Sequence, residues 1–237
     1  MQQQKIVSPD DWRAARKELL AKEKALTRAR DRLAAERRSL PWVKVEKDYV
    51  FDTGVGKKTL AELFGDKSQL FVYHFMLGPG WKEGCRSCSF LADQFDGAVI
   101  HLAARDVAFV AVSRAPLAEI EAFKQRMGWR FPFVSSFGSD FNFDYRVSFT
   151  ADEVGAEGDY NYARQKIPSD EMPGASVFYK DEDGAVFHTY SAYGRGLDIL
   201  VGPYNFLDLT PKGRDEADLP WTMAWVRHHD RYDAAKS

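Results

Sequence analysis

Leu70-Phe71-Val72-Tyr73-His74-Phe75-Met76-Leu77 runs into Gly78-Pro79-Gly80-Trp81-Lys82-Glu83-Gly84 and then into Cys85-Arg86-Ser87-Cys88. The first eight residues are almost wholly apolar and end at a Gly-Pro-Gly turn, the pattern of a buried strand. A C-x-x-C pair that follows such a strand and opens a helix is placed for redox chemistry. Unpaired N–H groups and the helix dipole favour thiolate over thiol at that point, so Cys85 is the expected nucleophile, with Arg86 adding positive charge beside it. Cys88, one turn later, is the more buried thiol expected to resolve a mixed disulfide.

Working outward, the elements alternate. A helix is expected from the cysteines to about Ala104, a strand over Val107 to Val112, a helix over Pro116 to Met127 and a short strand at Phe131-Pro132-Phe133-Val134. Residues 135–170, rich in Asp, Gly, Ser and aromatics with weak periodicity, are expected to be an insertion covering one side. Ala175 to Tyr179 and Val186 to Tyr190 form two apolar strands, and the Asp183-Gly184 between them is a strong hairpin signal. A closing helix is expected from about Leu197 to Leu209. The order strand, dithiol helix, strand, helix, hairpin, helix is that of an α/β thioredoxin-like fold, with a central mixed sheet flanked by helices.

Before this core, Ser8-Pro9-Asp10-Asp11 has a capping residue, a first-turn proline and two acids at the positive helix end. A long helix should run to about Ser39. Trp12, Leu19, Leu26 and Leu33 recur every seven residues, so this stripe is expected to be covered, either by the chain's own domain or across a homodimer. The expected organisation is an N-terminal helical arm (1–42), a thioredoxin-like domain (43–211) and a C-terminal tail (212–237) that Trp221, Trp225 and Tyr232 dock on the domain.

Hydrophobic residues at 45% and charged residues at 29% are ordinary for a soluble globular chain. A net charge of -2 offers no bulk attraction to phosphate, so nucleic acid is not an expected partner. No apolar run reaches the roughly eighteen residues of a membrane span, and the charged N-terminus lacks a secretory core, so no membrane association and a cytoplasmic location are expected. Two cysteines cannot build a multi-bridge framework. Zinc would need two further ligands from His74, His101, His188, His228 or His229, which show no paired spacing. The remaining reading makes both thiols small buried hydrophobes. His74 reads as a satisfied core histidine, and His228-His229 as a solvated feature of the tail.

The segments Gly78 to Phe90, Thr189 to Gly196 and Arg227 to Tyr232 closely resemble the bacterial family of unknown function numbered 899, over nearly the whole chain. The resemblance implies a dithiol–disulfide oxidoreductase related to thioredoxin and to alkyl hydroperoxide reductase. Thioredoxin has tryptophan before its first cysteine and proline before its second, where this chain has Gly84 and Ser87. Neither cysteine stands in the Pro-x-x-x-Thr/Ser-x-x-Cys pattern of peroxiredoxins. Phe131 to Val134, Asp140 and Tyr145-Arg146-Val147 nevertheless resemble a peroxiredoxin segment, which implies shared architecture.

The expected function is thiol–disulfide exchange by Cys85 and Cys88 on a disulfide substrate, with an external thiol reductant and neither cofactor nor metal. The alternatives are a thiol peroxidase acting on a peroxide, and a binding protein without catalysis. Trp81, Arg86, Met172 and Pro173 are the expected substrate contacts. Thioredoxin-like folds open the final hairpin with a cis proline, a geometry that proline holds cheaply. Pro173 occupies that place, which would leave the Met172 backbone free to pair with an extended substrate. Elemental analysis of untagged protein is expected to find no stoichiometric zinc; one zinc per chain, lost on replacing Cys88, would overturn the redox reading.

Overall fold

The computed structural model describes residues 4–232, and the chain divides into two units, Met1–Pro41 and Trp42–Ser237. In the first, α1 (Pro9–Arg38) begins where expected: the Ser8 hydroxyl accepts the Asp11 N–H at 3.2 Å, Pro9 opens the first turn, and Asp10 and Asp11 sit at the positive end. No residue of α1 is buried. Trp12 and Leu26 are each 61% exposed in the single chain.

The second unit is built on one eight-stranded sheet. Its strands are β1 (Val43–Lys44), β2 (Val50–Thr53), β3 (Gly56–Thr59), β4 (Gln69–His74), β5 (Val107–Ser113) and β6 (Phe133–Ser135), and later β9 (Gly174–Lys180) and β10 (Val186–Tyr193). A separate hairpin holds β7 (Glu157–Tyr160) and β8 (Ala163–Lys166). The helices are α2 (Arg86–Ala92), α3 (Phe95–Ala103), α4 (Leu117–Arg126), α5 (Phe141–Asp144) and α6 (Gly202–Leu207). The sheet order is β1-β10-β9-β4-β5-β6-β2-β3. β4 and β5 are parallel, with helices between them, and β9 runs antiparallel to β4 and pairs with β10 in the Asp-Gly hairpin. The central order β10-β9-β4-β5 makes this a thioredoxin-like fold. β6 and the β2–β3 hairpin extend one edge, and β1 extends the other.

β4 is buried on both faces, which is why it reads as a continuous apolar run. Tyr73, Phe75 and Leu77 point into the core beneath α2, α3 and α4, with Phe109, Phe123, Trp129 and Phe131. Leu70 and Val72 point the other way, into a second core with Phe51, Phe64, Phe141 and Phe178. The insertion covers that second face through Phe141. It also carries a small third core of Val147, Phe149, Tyr160, Ile167 and Tyr193. Its β7–β8 hairpin turns at Asn161-Tyr162, both at positive φ, the pattern of a type I′ turn.

Two expected helices are divided. The helix after the cysteines breaks at Asp93-Gln94, where Asp93 accepts the Trp129 indole N–H at 2.8 Å and Gln94 lies against Gly202. The closing helix becomes a 3-10 stretch (Gly194–Leu200) followed by α6, because Gly202-Pro203 restarts the helix at its first turn. Among the described residues no helix is long and apolar enough to cross a membrane.

Phe141 is fully buried and touches the rings of Tyr49, Phe51, Tyr145 and Phe178 at centroid distances of 4.7–6.2 Å. Phe141→Ala is expected to cost about 3–5 kcal/mol, read as a lowered urea midpoint with little change in slope.

Candidate active site

The loop that delivers the dithiol begins as a turn: the Trp81 N–H donates to the Gly78 carbonyl at 3.1 Å, with Pro79 and Gly80 between them. Gly80 has φ +76°, which this turn requires at its third position. Gly84 is needed for a different reason. A Cβ there would lie 2.5 Å from Phe75 and 2.7 Å from Phe123, so the side chain that precedes the first cysteine in thioredoxin has no room here.

Cys85 stands at the N-cap of α2, half-buried, and both thiols are free. The two cysteines lie 3.9 Å apart. Met76, just past β4, binds both ends of the motif: its carbonyl accepts the Cys85 N–H at 3.0 Å, and its own N–H donates to the Cys88 sulfur. The Cys85 sulfur accepts hydrogen bonds from the Cys88 thiol, from the backbone N–H groups of Cys88 and Ser87, and from the Ser87 hydroxyl. The Cys88 thiol contributes most, and together these donors outweigh desolvation and bring Cys85 down to about 6.

Cys88 is 2% exposed, and burial first, then the neighbouring Cys85, push its thiol well above the ordinary range. The Tyr73 hydroxyl, itself buried, donates to the Cys88 sulfur. Arg86, the expected source of positive charge, is exposed, and the main stabilising contacts on Cys85 come from the helix turn itself. Trp81 is half-buried with its indole against Gly78.

Met172 and Pro173 differ from expectation. No peptide bond among the described residues is cis, so Met172–Pro173 is trans. The insertion holds this segment by other means: the Met172 N–H donates to the Val147 carbonyl at 2.8 Å, and the Pro173 carbonyl accepts the Tyr160 hydroxyl at 2.6 Å. Just before them, buried Glu171 accepts from Arg114 at 2.6 Å and Ser148 at 2.7 Å, and burial raises its carboxyl to about 7. The Met172 N–H is therefore committed and cannot pair with a substrate strand. Pro173 still precedes Gly174, which pairs with His74 at the end of β4, and the strand order carries the fold without a cis proline.

The histidine pair of the tail, which reads as solvated in the sequence, is brought to the dithiol by the structure. His228 is 2% exposed, and its Nε2 lies 2.9 Å from the Gly84 carbonyl oxygen. His229 Nδ1 lies 2.7 Å from Asp93. The signal is present in Arg227 to Tyr232, whose resemblance to the family carries no assigned role. Tyr73 and Ser87 also escape sequence reasoning, since nothing in a strand's alternation marks one hydroxyl as a partner for sulfur. His74 is a core histidine but not a fully satisfied one: Nε2 bonds Ser176 at 2.8 Å, buried Nδ1 has no hydrogen-bond partner, and burial lowers the ring to about 3. Among the described residues no group of three His, Cys, Asp or Glu side chains is placed to hold a metal ion.

This fold and its paired thiols define a thioredoxin-fold dithiol protein. More particularly, the chain belongs to the family described as bacterial protein of unknown function (DUF899), whose model matches residues 1–232. No curated protein matches it. Among solved structures, a cysteine-to-serine mutant of PrxQ from Xylella fastidiosa is 13% identical with a TM-score of 0.41, covering 67% of this chain and 89% of that one. Peroxidoxin BcpB from Mycobacterium tuberculosis is 13% identical with a TM-score of 0.41, covering 69% and 94%. The mitochondrial 2-Cys peroxiredoxin from Plasmodium falciparum is 12% identical with a TM-score of 0.41, covering 70% and 92%. At such identities the chemistry is read from this chain's own geometry.

Alkylation of reduced protein by iodoacetamide is expected to label Cys85 first, with a pH midpoint near 6. Below that pH the rate should fall about tenfold per unit, because only thiolate reacts. Mapping by mass spectrometry checks the site, and Cys88 labelled first would reverse the two roles.

Proposed function

We propose that the chain is a thiol–disulfide oxidoreductase. The observation that carries this reading is the unequal pair: an activated thiol on half-buried Cys85 and, 3.9 Å away, a buried thiol on Cys88. The Cys85 thiolate attacks one sulfur of a substrate disulfide, forming a mixed disulfide and releasing the other sulfur as thiolate. Cys88 then attacks the Cys85 sulfur. The Cys85–Cys88 bond forms, the bond to the substrate breaks, and the Cys88 proton leaves with the departing substrate thiolate. The substrate gains two electrons, and an external dithiol returns them to the pair.

Within this cycle Tyr73 acts on Cys88. Its hydroxyl donates to the Cys88 sulfur and so favours the charge that develops there as the proton departs. Trp81 and Arg86 flank the Cys85 sulfur in sequence and are the proposed substrate contacts.

Reduction of a model disulfide with dithiothreitol as the reductant tests the reading. Cys85→Ser should abolish turnover, and Cys88→Ser should accumulate a mixed disulfide visible by mass. Tyr73→Phe should leave the first attack unchanged and slow resolution by about 10–100-fold, as expected for a lost hydrogen bond to a charged group. Rapid, Cys85-dependent consumption of hydrogen peroxide without disulfide reduction would instead establish a thiol peroxidase.

A further inference from the structure

Residues 228–231 bracket the dithiol helix at both ends. At its start, His228 reaches the carbonyl of Gly84, the residue before Cys85. At its end, His229 reaches Asp93, the residue after Ala92. Between these contacts, Asp230 takes a two-pronged hydrogen bond from Arg126 of α4 at 2.9 and 3.0 Å. Arg231 pairs with Glu83, which also lies 3.2 Å from Arg126.

The contact at the start of α2 has a particular consequence for sulfur. The peptide group between Gly84 and Cys85 is gripped on both sides: its N–H donates to the Met76 carbonyl, and its C=O faces His228. A peptide plane held at both polar atoms cannot rotate about the chain. Fixing that plane fixes the backbone from which the Cys85 side chain leaves, and with it the approach of the sulfur to the first turn of α2. Gly84 has no side chain to assist, being pressed between the rings of Phe75 and Phe123.

Histidine suits the task because of what surrounds its other nitrogen. Nδ1 lies 3.3 Å from Arg126 Nη2, and arginine can only donate, so the neutral ring carries its proton on Nε2. The Glu83 carboxylate, 3.5 Å from Nδ1, would face the second N–H of an imidazolium. In either form Nε2–H is a donor aimed at Gly84. The ring also sits edge-on to Phe123 at 5.4 Å, which fixes its plane.

We propose that His228 is a positioning residue for the Cys85 thiolate, acting through the Gly84 carbonyl. The inference rests on the oxidoreductase reading for its place in catalysis, while its test needs no substrate. The pH midpoint of Cys85 alkylation is compared in wild type, His228→Ala and His228→Gln, with near-ultraviolet circular dichroism to establish folding. His228→Ala is expected to move the midpoint upward by about one pH unit with the high-pH rate unchanged, the size of one lost hydrogen bond. His228→Gln, which restores an N–H donor, should recover most of the shift. A midpoint in His228→Ala equal to wild type overturns the proposal, as does His228→Gln matching His228→Ala. Should His228→Ala not fold, Asp230→Ala cuts the exposed tether to Arg126 without opening the core and should shift the midpoint the same way by less; a folded Asp230→Ala with the wild-type midpoint would then overturn it. Shifted midpoints together with no disulfide reduction would support the positioning role and sink the oxidoreductase reading alone.

Discussion

A thiolate persists in a half-buried place only if hydrogen-bond donors replace the water it has lost. On the helical face of this sheet Cys85 draws those donors from Ser87 and Cys88. They come from the first turn of α2, and that turn has its geometry because Met76 binds both cysteines as it leaves β4. β4 in turn is fixed by partners on both sides and a core on both faces. The reactive sulfur is thus referenced to the most central strand of the molecule. One donor to Cys85, the Cys88 thiol, is also its partner in disulfide formation.

The opposite face does structural work with polar groups as well as rings. His74, Ser176, Ser191 and His188 form a hydrogen-bonded chain across β4, β9 and β10, with successive links of 2.8, 2.8 and 2.7 Å. Buried polar groups linked in this way specify strand register, because a slip by one residue would leave each without its partner. Phe141 and Tyr145 from the insertion cover His74. The insertion therefore closes one core, while its stem sets the path of the chain into β9.

Legibility followed the range of the forces involved. β4, β5, the Asp183-Gly184 hairpin and the capped start of α1 were plain in the sequence, because periodicity, capping and turn chemistry act within a few residues. The dithiol's place at a helix start was equally local. What escaped was set by packing at long separation. Gly84 departs from thioredoxin because Phe75 and Phe123, distant in sequence, occupy its side-chain space. Pro173 sat in the right place for a cis bond, yet Val147 and Tyr160 hold that segment in the trans form. His228-His229 reads as a polar stretch near the end of a charged sequence, and nothing local reveals that one ring is buried and the other is exposed at the surface. Arg86 misled in the opposite sense, since adjacency in sequence did not make it a main contact of Cys85.

The hydrogen bond between His228 and Gly84 joins residues 144 positions apart. Closing so long a loop adds only logarithmically to its entropic cost, but contacts of such separation slow folding and form late. On the ribosome, the strand and helix carrying Cys85 and Cys88 emerge well before residues 228–231 exist. For that interval the Gly84 carbonyl lacks its partner, and the thiols belong to a partly folded chain. The order of synthesis therefore separates making the dithiol from finishing the frame around it.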